Sequence, residues 1–281
     1  MRLLLTRSYR IRAFSLAALI LAVLFAIKAA PTAAQAKPFT VYLGFDDGPD
    51  AGKTPLILDI LKKYNVKATF FIEGAHIAGH EAILRREWQE GHHIGNHLIS
   101  HELEVMAQNK PKKEVLLSRW EATELAINAA LGGELAVEYN KAEPIKPFRW
   151  PGGAVTAFPR ADTITYNWNV SVGDDVAGGI TPKQGVYNVL YGYPPHHYYG
   201  IFAWGDGAVV LLHDESITTV RALPVIIKNL QAHGVTFGTL PRPGDTAGTM
   251  PIQIGAVPAC AHQPGNCEHE YKFLVDFGYL K

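Results

Sequence analysis

Apolar and polar positions repeat with two different periods along the middle of the chain. Short apolar runs predict strands at 40–45, 68–72, 93–97, 147–150, 164–170, 208–213 and 235–239. Between them, apolar residues spaced by three and four predict helices at 55–64, 81–90, 112–131 and 220–233. Strands that alternate with helices are typical of βα units. The pattern therefore predicts an α/β fold built on a parallel sheet.

The longest predicted helix shows which of its faces meets the core. Apolar and small residues recur along it at spacings of three and four, at Leu116, Trp120, Thr123, Ile127 and Leu131. Residues with this spacing lie on one side of a helix. We interpret them as a stripe that packs into the core and does not bind a cofactor.

Composition and charge narrow the class of protein. The 281 residues are 48% hydrophobic and 19% charged, which is ample material for a core, and α/β barrels of this length often form one domain. Lys and Arg number 26, and Asp and Glu also number 26. A chain with this balance has no overall field to hold nucleic acid. We expect a single catalytic domain without a nucleic-acid partner.

Residues 1–36 are predicted to be a signal peptide. An apolar run at 13–27 is preceded by Arg2, Arg7, Arg10 and Arg12. The small residues after it end in an Ala-Gln-Ala sequence at 34–36, the pattern of a signal-peptidase site. About 15 apolar residues are short for a membrane span, which needs about 20. We expect an exported protein, periplasmic or secreted, with an uncleaved membrane anchor as the alternative.

The chain beyond residue 240 has a different composition. Proline and glycine are frequent from 241 to 251, which favours irregular structure. The two cysteines, Cys260 and Cys267, lie close together farther on. In an oxidising compartment they could form a disulfide, and a single pair lacks the spacing of a structural zinc site. We expect a catalytic domain at 37–240 and an irregular C-terminal wrap at 241–281 that a disulfide holds.

Polar side chains stand at the ends of several predicted strands. Asp46 and Asp47 end the first strand, His97 the third, Arg149 the fourth and His213 the sixth. In a barrel, the carboxyl ends of parallel strands share one face, and catalysis occurs there. We therefore expect these five residues to lie on the same face.

The acidic pair and two histidines suit a metal site, although each has a simpler interpretation. Asp-Gly-Pro is ordinary turn chemistry, whereas adjacent buried carboxylates favour a cation, because like charges and desolvation oppose their ionisation. His97 and His101 are four residues apart, so both rings can reach one metal from a helical turn, and such spacings also arise by chance. Two histidines and one carboxylate make an open three-ligand zinc site.

His213 ends the apolar run at 209–212. A histidine titrates near neutral pH, which suits a general acid that protonates a leaving amine. A core histidine bonded to a backbone carbonyl is an equal alternative.

Five segments, in this order, resemble the motifs of the polysaccharide deacetylase family, also called carbohydrate esterase family four, which includes the rhizobial nodulation chitooligosaccharide deacetylase. They are 44–49 (GFDDGP), 95–101 (GNHLISH), 149–153 (RWPGG), 168–174 (WNVSVGD) and 210–214 (VLLHD). The resemblance covers roughly residues 40–240. It implies an irregular (β/α) barrel of about seven parallel strands in one domain. It also implies a hydrolase that releases acetate from an N-acetylated polysaccharide, such as a chitin-like polymer or peptidoglycan.

The resemblance assigns roles to five residues of the first three motifs. Asp47, His97 and His101 would bind one divalent metal, usually Zn²⁺. Asp46 would be the general base that takes a proton from the attacking water, and Arg149 would orient it.

The remaining motifs would supply the acid and the oxyanion site. Asp174 would lie near His213 and tune it as the general acid. A backbone N–H near Gly152 would stabilise the oxyanion.

Four positions depart from the usual family pattern. They are Leu98 where Ser or Thr is usual, Gly152 for an aromatic residue, Ser171 for Asp, and Asp175 for Trp. Leu98 removes a polar support of the metal-site loop, and Gly152 would widen the acetyl pocket. The fourth motif, with two of the changes, departs most.

The stretch from 176 to 212 is rich in aromatic residues, at Tyr187, Tyr191, Tyr193, Tyr198, Tyr199, Phe202 and Trp204. In a long loop these rings could stack on sugars, or they could pack on one another. Both interpretations stay open.

Two other functions fit the same residues. One is a metal-dependent hydrolase with another substrate, either the O-acetyl ester of a xylan-like polymer or a small cyclic amide. The other is a carbohydrate-binding module that has lost catalysis. A module needs neither a base nor an acid, so the presence of both Asp46 and His213 favours an enzyme.

Overall fold

The computed structural model describes residues 38–101, 112–153, 157–175, 179–193 and 198–249. The strands in this part of the chain are β1 (Thr40–Asp46), β2 (Thr69–Ile72), β3 (His93–Asn96), β4 (Lys146–Phe148), β5 (Thr163–Thr165), β6 (Val170–Ser171), β7 (Gly192–Tyr193), β8 (Tyr198–Tyr199), β9 (Ala208–His213) and β10 (Thr236–Gly238). The helices are α1 (Thr54–Lys63), α2 (Glu81–Gln89), α3 (Lys113–Leu131), α4 (Gly133–Ala142), α5 (Pro182–Tyr191), α6 (Ile201–Trp204) and α7 (Ile217–Ala232), and a short 3₁₀ helix covers Gly74–His76.

The main sheet is parallel and curls into a half-barrel. Seven strands follow the order β5-β4-β3-β2-β1-β9-β6, and β10 pairs with the start of β1. β1 is central, because it pairs along its length with β9 and, at its carboxyl end, with β2. The prediction of an irregular barrel with about seven parallel strands is confirmed. β7 and β8 form a separate antiparallel pair.

Both faces of β1, β2 and β9 are buried, which explains why these strands are nearly continuous apolar runs in the sequence. In β1, Val41, Leu43 and Phe45 belong to a large cluster that includes residues of α1 and α7. Tyr42 belongs to a second cluster with Phe71 of β2. The stripe predicted on the longest helix is buried at all five positions, so the prediction that it packs into the core is confirmed.

The predicted strand at 164–170 is wrong, because the segment forms two strands. β5 pairs with β4 at one edge of the sheet, and β6 pairs with β9 at the other. Residues 166–169 cross between the two edges. There the Asn169 side chain accepts a hydrogen bond from Val209 N at 2.8 Å, and Asn169 N donates to Val209 O at 3.1 Å. The backbone pairing of a regular strand is therefore interrupted at Asn169, where the side-chain oxygen accepts the hydrogen bond in place of a backbone carbonyl.

The segment interpreted as a long aromatic loop contains helices α5 and α6, so the loop interpretation is wrong. Thr181 caps α5, because its hydroxyl accepts from Gln184 N at 3.1 Å, and Pro182 is the first residue of the helix. This is a common helix start. The rings of Tyr191 and Phe202 are 5.7 Å apart and pack against the large core cluster. For these two rings the structure favours packing over sugar binding.

Helix ends otherwise agree with the sequence pattern within a few residues. The last helix begins at Ile217, three residues before the predicted start, because the Ser216 hydroxyl caps it by accepting from Thr219 N at 3.3 Å. The pattern does not predict α4, which directly follows α3 after a break at Gly132, where φ is 64°. In the described part of the chain, no helix has the length and apolar character needed to cross a membrane.

Residues 241–249 contain no helix or strand. Asp245 accepts a hydrogen bond from the Tyr166 hydroxyl at 2.5 Å, and Gly248 N donates to Thr163 O at 2.7 Å, beside the edge strand β5. Such a segment protects the exposed edge of a sheet. The predicted disulfide between Cys260 and Cys267 and the predicted signal peptide at 1–36 lie outside the described residues.

Candidate active site

The ends of four parallel strands bring most of the predicted site residues together. β1 ends at Asp46, which lies opposite His213, the last residue of β9. His97 directly follows β3, and Arg149 directly follows β4. Parallel strands place their carboxyl ends on the same face. The contacts described below all lie at this face.

Asp47, His97 and His101 form a group with the geometry of a metal site. The Nε2 atoms of His97 and His101 lie 3.3 and 3.4 Å from Asp47 Oδ1. One ligand atom from each residue lies within 4.8 Å of the other two. Asp47 Oδ1 is buried and has no hydrogen-bond partner among the described residues, an arrangement that is costly unless a cation satisfies it. Two imidazole nitrogens and one carboxylate oxygen suit Zn²⁺ with an open position.

Charge in this group favours an ionised Asp47. Burial alone would raise the pKa of Asp47, but the close imidazole of His97, followed by those of His213 and His101, holds it well below its usual range.

The backbone of Asp47 is also unusual, with φ of 79°. A non-glycine residue rarely adopts this conformation, which occurs more often at functional sites than elsewhere.

Both imidazoles of the group are held through Nδ1. His97 Nδ1 donates to Arg149 O at 2.8 Å, and His101 Nδ1 donates to Glu73 Oε2 at 2.9 Å. A carbonyl and a carboxylate can only accept, so Nδ1 carries a proton in both rings. In the neutral rings, Nε2 is then free to bind a cation.

Leu98 holds the histidine loop from its apolar side. It is fully buried, has φ of 60°, and packs with Trp120 and Phe148. Its N–H donates to Asn96 Oδ1 at 2.9 Å, and its carbonyl accepts from Gly74 N at 2.9 Å. Apolar packing and backbone hydrogen bonds therefore support this loop where the family pattern has a hydroxyl residue.

Asp46 is held by a fully buried arginine. Arg149 Nη1 donates to Asp46 Oδ1 at 2.6 Å, and its guanidinium lies 4.1 Å from the centre of the Phe71 ring. A Cβ on Gly44 would lie 2.6 Å from Arg149 Nη2, so a glycine is required for this close approach. Asp46 Oδ2 lies 3.8 Å from His97 Nε2. One oxygen of Asp46 thus contacts Arg149, and the other faces the metal-type group.

His213 is oriented by Asp174. Its Nδ1 donates to Asp174 Oδ1 at 2.7 Å, and its backbone N–H donates to Asp174 Oδ2 at 3.1 Å. The hydroxyl of Thr219 also donates to Asp174 Oδ2. His213 Nε2 lies 3.9 Å from Asp47 Oδ2. Burial alone would lower the pKa of His213, but the hydrogen bond and charge of Asp174, with the nearby carboxylates, raise it to about 10.

Two acidic residues of this face are not predicted by the sequence reasoning. Glu73 contacts His101, and Asp214 accepts from the Thr54 hydroxyl at 2.7 Å behind the Asp47 turn. Burial raises the pKa of Asp214 to about 8. Glu73 directly follows β2. It is therefore a polar residue at the end of a strand, which is the same signal that predicted Asp46, His97 and His213.

Comparisons with known proteins agree with these motifs. The profile of the family described as "Polysaccharide deacetylase" matches residues 33–164. A chitooligosaccharide deacetylase of Bradyrhizobium sp. (strain ANU 289) is 30% identical over 217 residues, which is 72% of this chain and 90% of that protein. The peptidoglycan-N-acetylglucosamine deacetylase PgdA of Listeria monocytogenes is 32% identical over 206 residues, or 71% of this chain, and the match spans 38% of that longer protein.

Solved structures give the same result. A family 4 acetyl xylan esterase from Clostridium thermocellum, in complex with a cobalt ion, superposes with a TM-score of 0.57 at 30% identity. The superposition covers 72% of this chain and 88% of that one.

Proposed function

Because the chain belongs to the polysaccharide deacetylase family, we propose that it is a metal-dependent enzyme that removes N-acetyl groups from a cell-wall or extracellular polysaccharide and releases acetate. One observation carries the proposal. Three ligand-type side chains that could hold a cation, a carboxylate held by an arginine and a histidine held by a carboxylate meet at one end of the barrel. Amide hydrolysis is promoted by a Lewis acid, a base and an acid, and a cation held by the first group, Asp46 and His213 would supply them.

Asp47, His97 and His101 would hold one divalent cation, and Zn²⁺ fits this ligand set. When bound, such a cation makes water more acidic and polarises an acetamide carbonyl. The chain keeps Nε2 of both imidazoles free for it, because each Nδ1 proton is donated to an oxygen of the protein.

Asp46 would take the proton of the attacking water. Arg149 occupies its Oδ1, which leaves Oδ2 directed at the group formed by Asp47 and the two histidines. A general base must lie within reach of the proton that it removes and must keep a fixed orientation. The pairing with a fully buried guanidinium supplies that orientation.

His213 would protonate the departing sugar amine. Its Nδ1 is bonded to Asp174, so the N–H on Nε2 is the one that faces the site. The raised pKa of His213 keeps this proton in place at neutral pH, as an acid requires at the start of the reaction. A backbone N–H near Gly152 would stabilise the oxyanion that precedes this step.

An N-acetylated polysaccharide is the favoured substrate, because the Bradyrhizobium and Listeria relatives are named for chitooligosaccharide and peptidoglycan. The predicted signal peptide would deliver the enzyme to the periplasm or the medium, where such polymers occur. An O-acetylated xylan-like polymer is the second candidate, since the similar Clostridium structure is an acetyl xylan esterase. A binding module is disfavoured, because sugar binding does not require an oriented base and an oriented acid.

The test is acetate release from chitooligosaccharides, peptidoglycan and acetylxylan, measured before and after removal of metal and after addition of Zn²⁺. We expect Zn²⁺-dependent release from an N-acetylated substrate. Asp46→Asn should keep the metal and lose about 10²–10⁴-fold in kcat/KM, whereas His101→Ala should weaken metal binding and His80→Ala, outside the group, should not. Release from acetylxylan alone would identify an esterase. Sugar binding without release from any substrate would identify a module.

A further inference from the structure

The turn between β2 and α2 contacts both halves of the candidate metal group. Glu73 N donates to Gly48 O at 3.1 Å, next to Asp47, and the His76 ring donates from Nδ1 to Asp47 O at 2.5 Å. On the other side, Gly74 N and Ala75 N each donate at 2.9 Å to carbonyls of the histidine loop, Leu98 O and Ile99 O. The backbone of Glu73 is therefore fixed relative to all three candidate ligands.

The Glu73 side chain extends this connection to His101. Glu73 is 7% exposed, and its Oε2 accepts from His101 Nδ1 at 2.9 Å. The opposite nitrogen of the ring, Nε2, lies 3.4 Å from Asp47 Oδ1. A ring bonded at Nδ1 in this way has its Nε2 directed at the position where a cation would sit.

His101 needs such a partner more than His97 does. The side chain of His101 is 37% exposed and that of His97 is 2% exposed, so packing restrains His97 and does much less for His101. An exposed ring that is not bonded loses rotamer freedom when it binds a cation, which weakens binding.

The two histidines also differ in the charge of their partners. His97 donates to a neutral carbonyl, whereas His101 donates to a carboxylate. A carboxylate at Nδ1 makes the imidazole more basic at Nε2 and selects the tautomer that binds metal. Glu73 would thus affect both the orientation and the ligand strength of His101.

We propose that Glu73 is a positioning residue that orients His101 and thereby increases the affinity of the site for its divalent cation. The inference rests on the proposed function, because it assumes that Asp47, His97 and His101 bind a metal. Glu73 does not itself act on the substrate. Its loss should therefore change metal affinity more than it changes the activity of enzyme that is saturated with metal.

The test uses the full chain with Glu73→Ala, Glu73→Gln and, as a control, a substitution of the exposed Glu138 of α4, Glu138→Gln. Zn²⁺ affinity is measured by competition with a chelating indicator, and the visible absorption of the Co²⁺-loaded protein reports ligand geometry. The melting temperature of each metal-free protein reports folding. Loss of a partner of a metal-bound histidine typically weakens metal binding by about 10- to 100-fold.

We expect that loss for Glu73→Ala, a smaller loss for Glu73→Gln, which keeps an acceptor oxygen, and no change for Glu138→Gln. The melting temperatures of the metal-free proteins should stay alike, and the Co²⁺ spectrum of Glu73→Ala should differ from that of the wild type. Wild-type Zn²⁺ affinity in a folded Glu73→Ala protein would overturn the proposal. If Glu73→Ala proved unfolded, wild-type affinity in Glu73→Gln together with an unchanged Co²⁺ spectrum would overturn it. Failure of the wild type itself to bind either metal would instead refute the proposed function.

Discussion

Replacement of Arg149 by methionine tests the ion pair that holds Asp46. Arg149 is 0% exposed and Asp46 is 3% exposed, and the two are joined at 2.6 Å. Methionine keeps most of the apolar stem and removes the guanidinium, including its contact with the Phe71 ring. Asp46 would then be a buried carboxylate without its charged partner.

The cost follows from the burial of the pair. Removal of one partner from a buried ion pair typically destabilises a protein by about 3–5 kcal/mol, because the remaining charge is uncompensated. Since domains are stable by only about 5–15 kcal/mol, Arg149→Met should lose a large part of the free energy of unfolding. With a urea dependence of about 1–3 kcal/mol per molar, the midpoint should fall by about 1 M or more. Turnover should fall as well, because Asp46 loses its orientation.

A double-mutant cycle provides the control. Asp46→Asn removes the charge that Arg149→Met leaves behind, so the double variant should be more stable than Arg149→Met alone. Urea unfolding of the wild type, both single variants and the double variant measures the coupling. A loss below about 1 kcal/mol for Arg149→Met, or a double variant no more stable than it, would refute the reasoning from burial.

Three further predictions follow from other contacts. His213→Ala should lower kcat/KM by about 10²–10⁴-fold for a sugar amide and much less for phenyl acetate, whose leaving group needs no proton; equal losses would assign His213 another role. Burial alone would lower the pKa of His93, but the contact with Glu143 at 2.7 Å raises it. The stability from this pair is therefore present below about pH 6.5 and is lost as pH rises through the folded-state pKa of His93. The difference in Tm between the wild type and Glu143→Gln should then become smaller towards alkaline pH. A difference that becomes larger would contradict this prediction. Gly44→Ala places a Cβ 2.6 Å from Arg149 and should lower the free energy of unfolding by about 1–3 kcal/mol and reduce activity. A wild-type urea midpoint with wild-type turnover would show instead that Arg149 can move without consequence.

The sequence by itself determined the class of fold and the region of the site. Strands of a parallel sheet are buried on both faces, so they need continuous apolar runs, and a polar residue at the end of such a run marks a carboxyl end. Asp46 and His213 end such runs, and His97 directly follows β3. The amphipathic period likewise located α3 and its buried face. These features depend on local patterns, which a single sequence records directly.

Only the tertiary structure decided which side chains touch. Residues 164–170 have the pattern of one strand, yet the order of the strands places β5 and β6 at opposite edges of the sheet. Glu73 and His101 are 28 residues apart, and no periodicity relates them. They meet because β2 and β3 are adjacent and parallel, so that the turn after one strand lies against the loop after the other. Such a contact depends on the packing of whole elements, and that packing is a property of the folded chain as a whole.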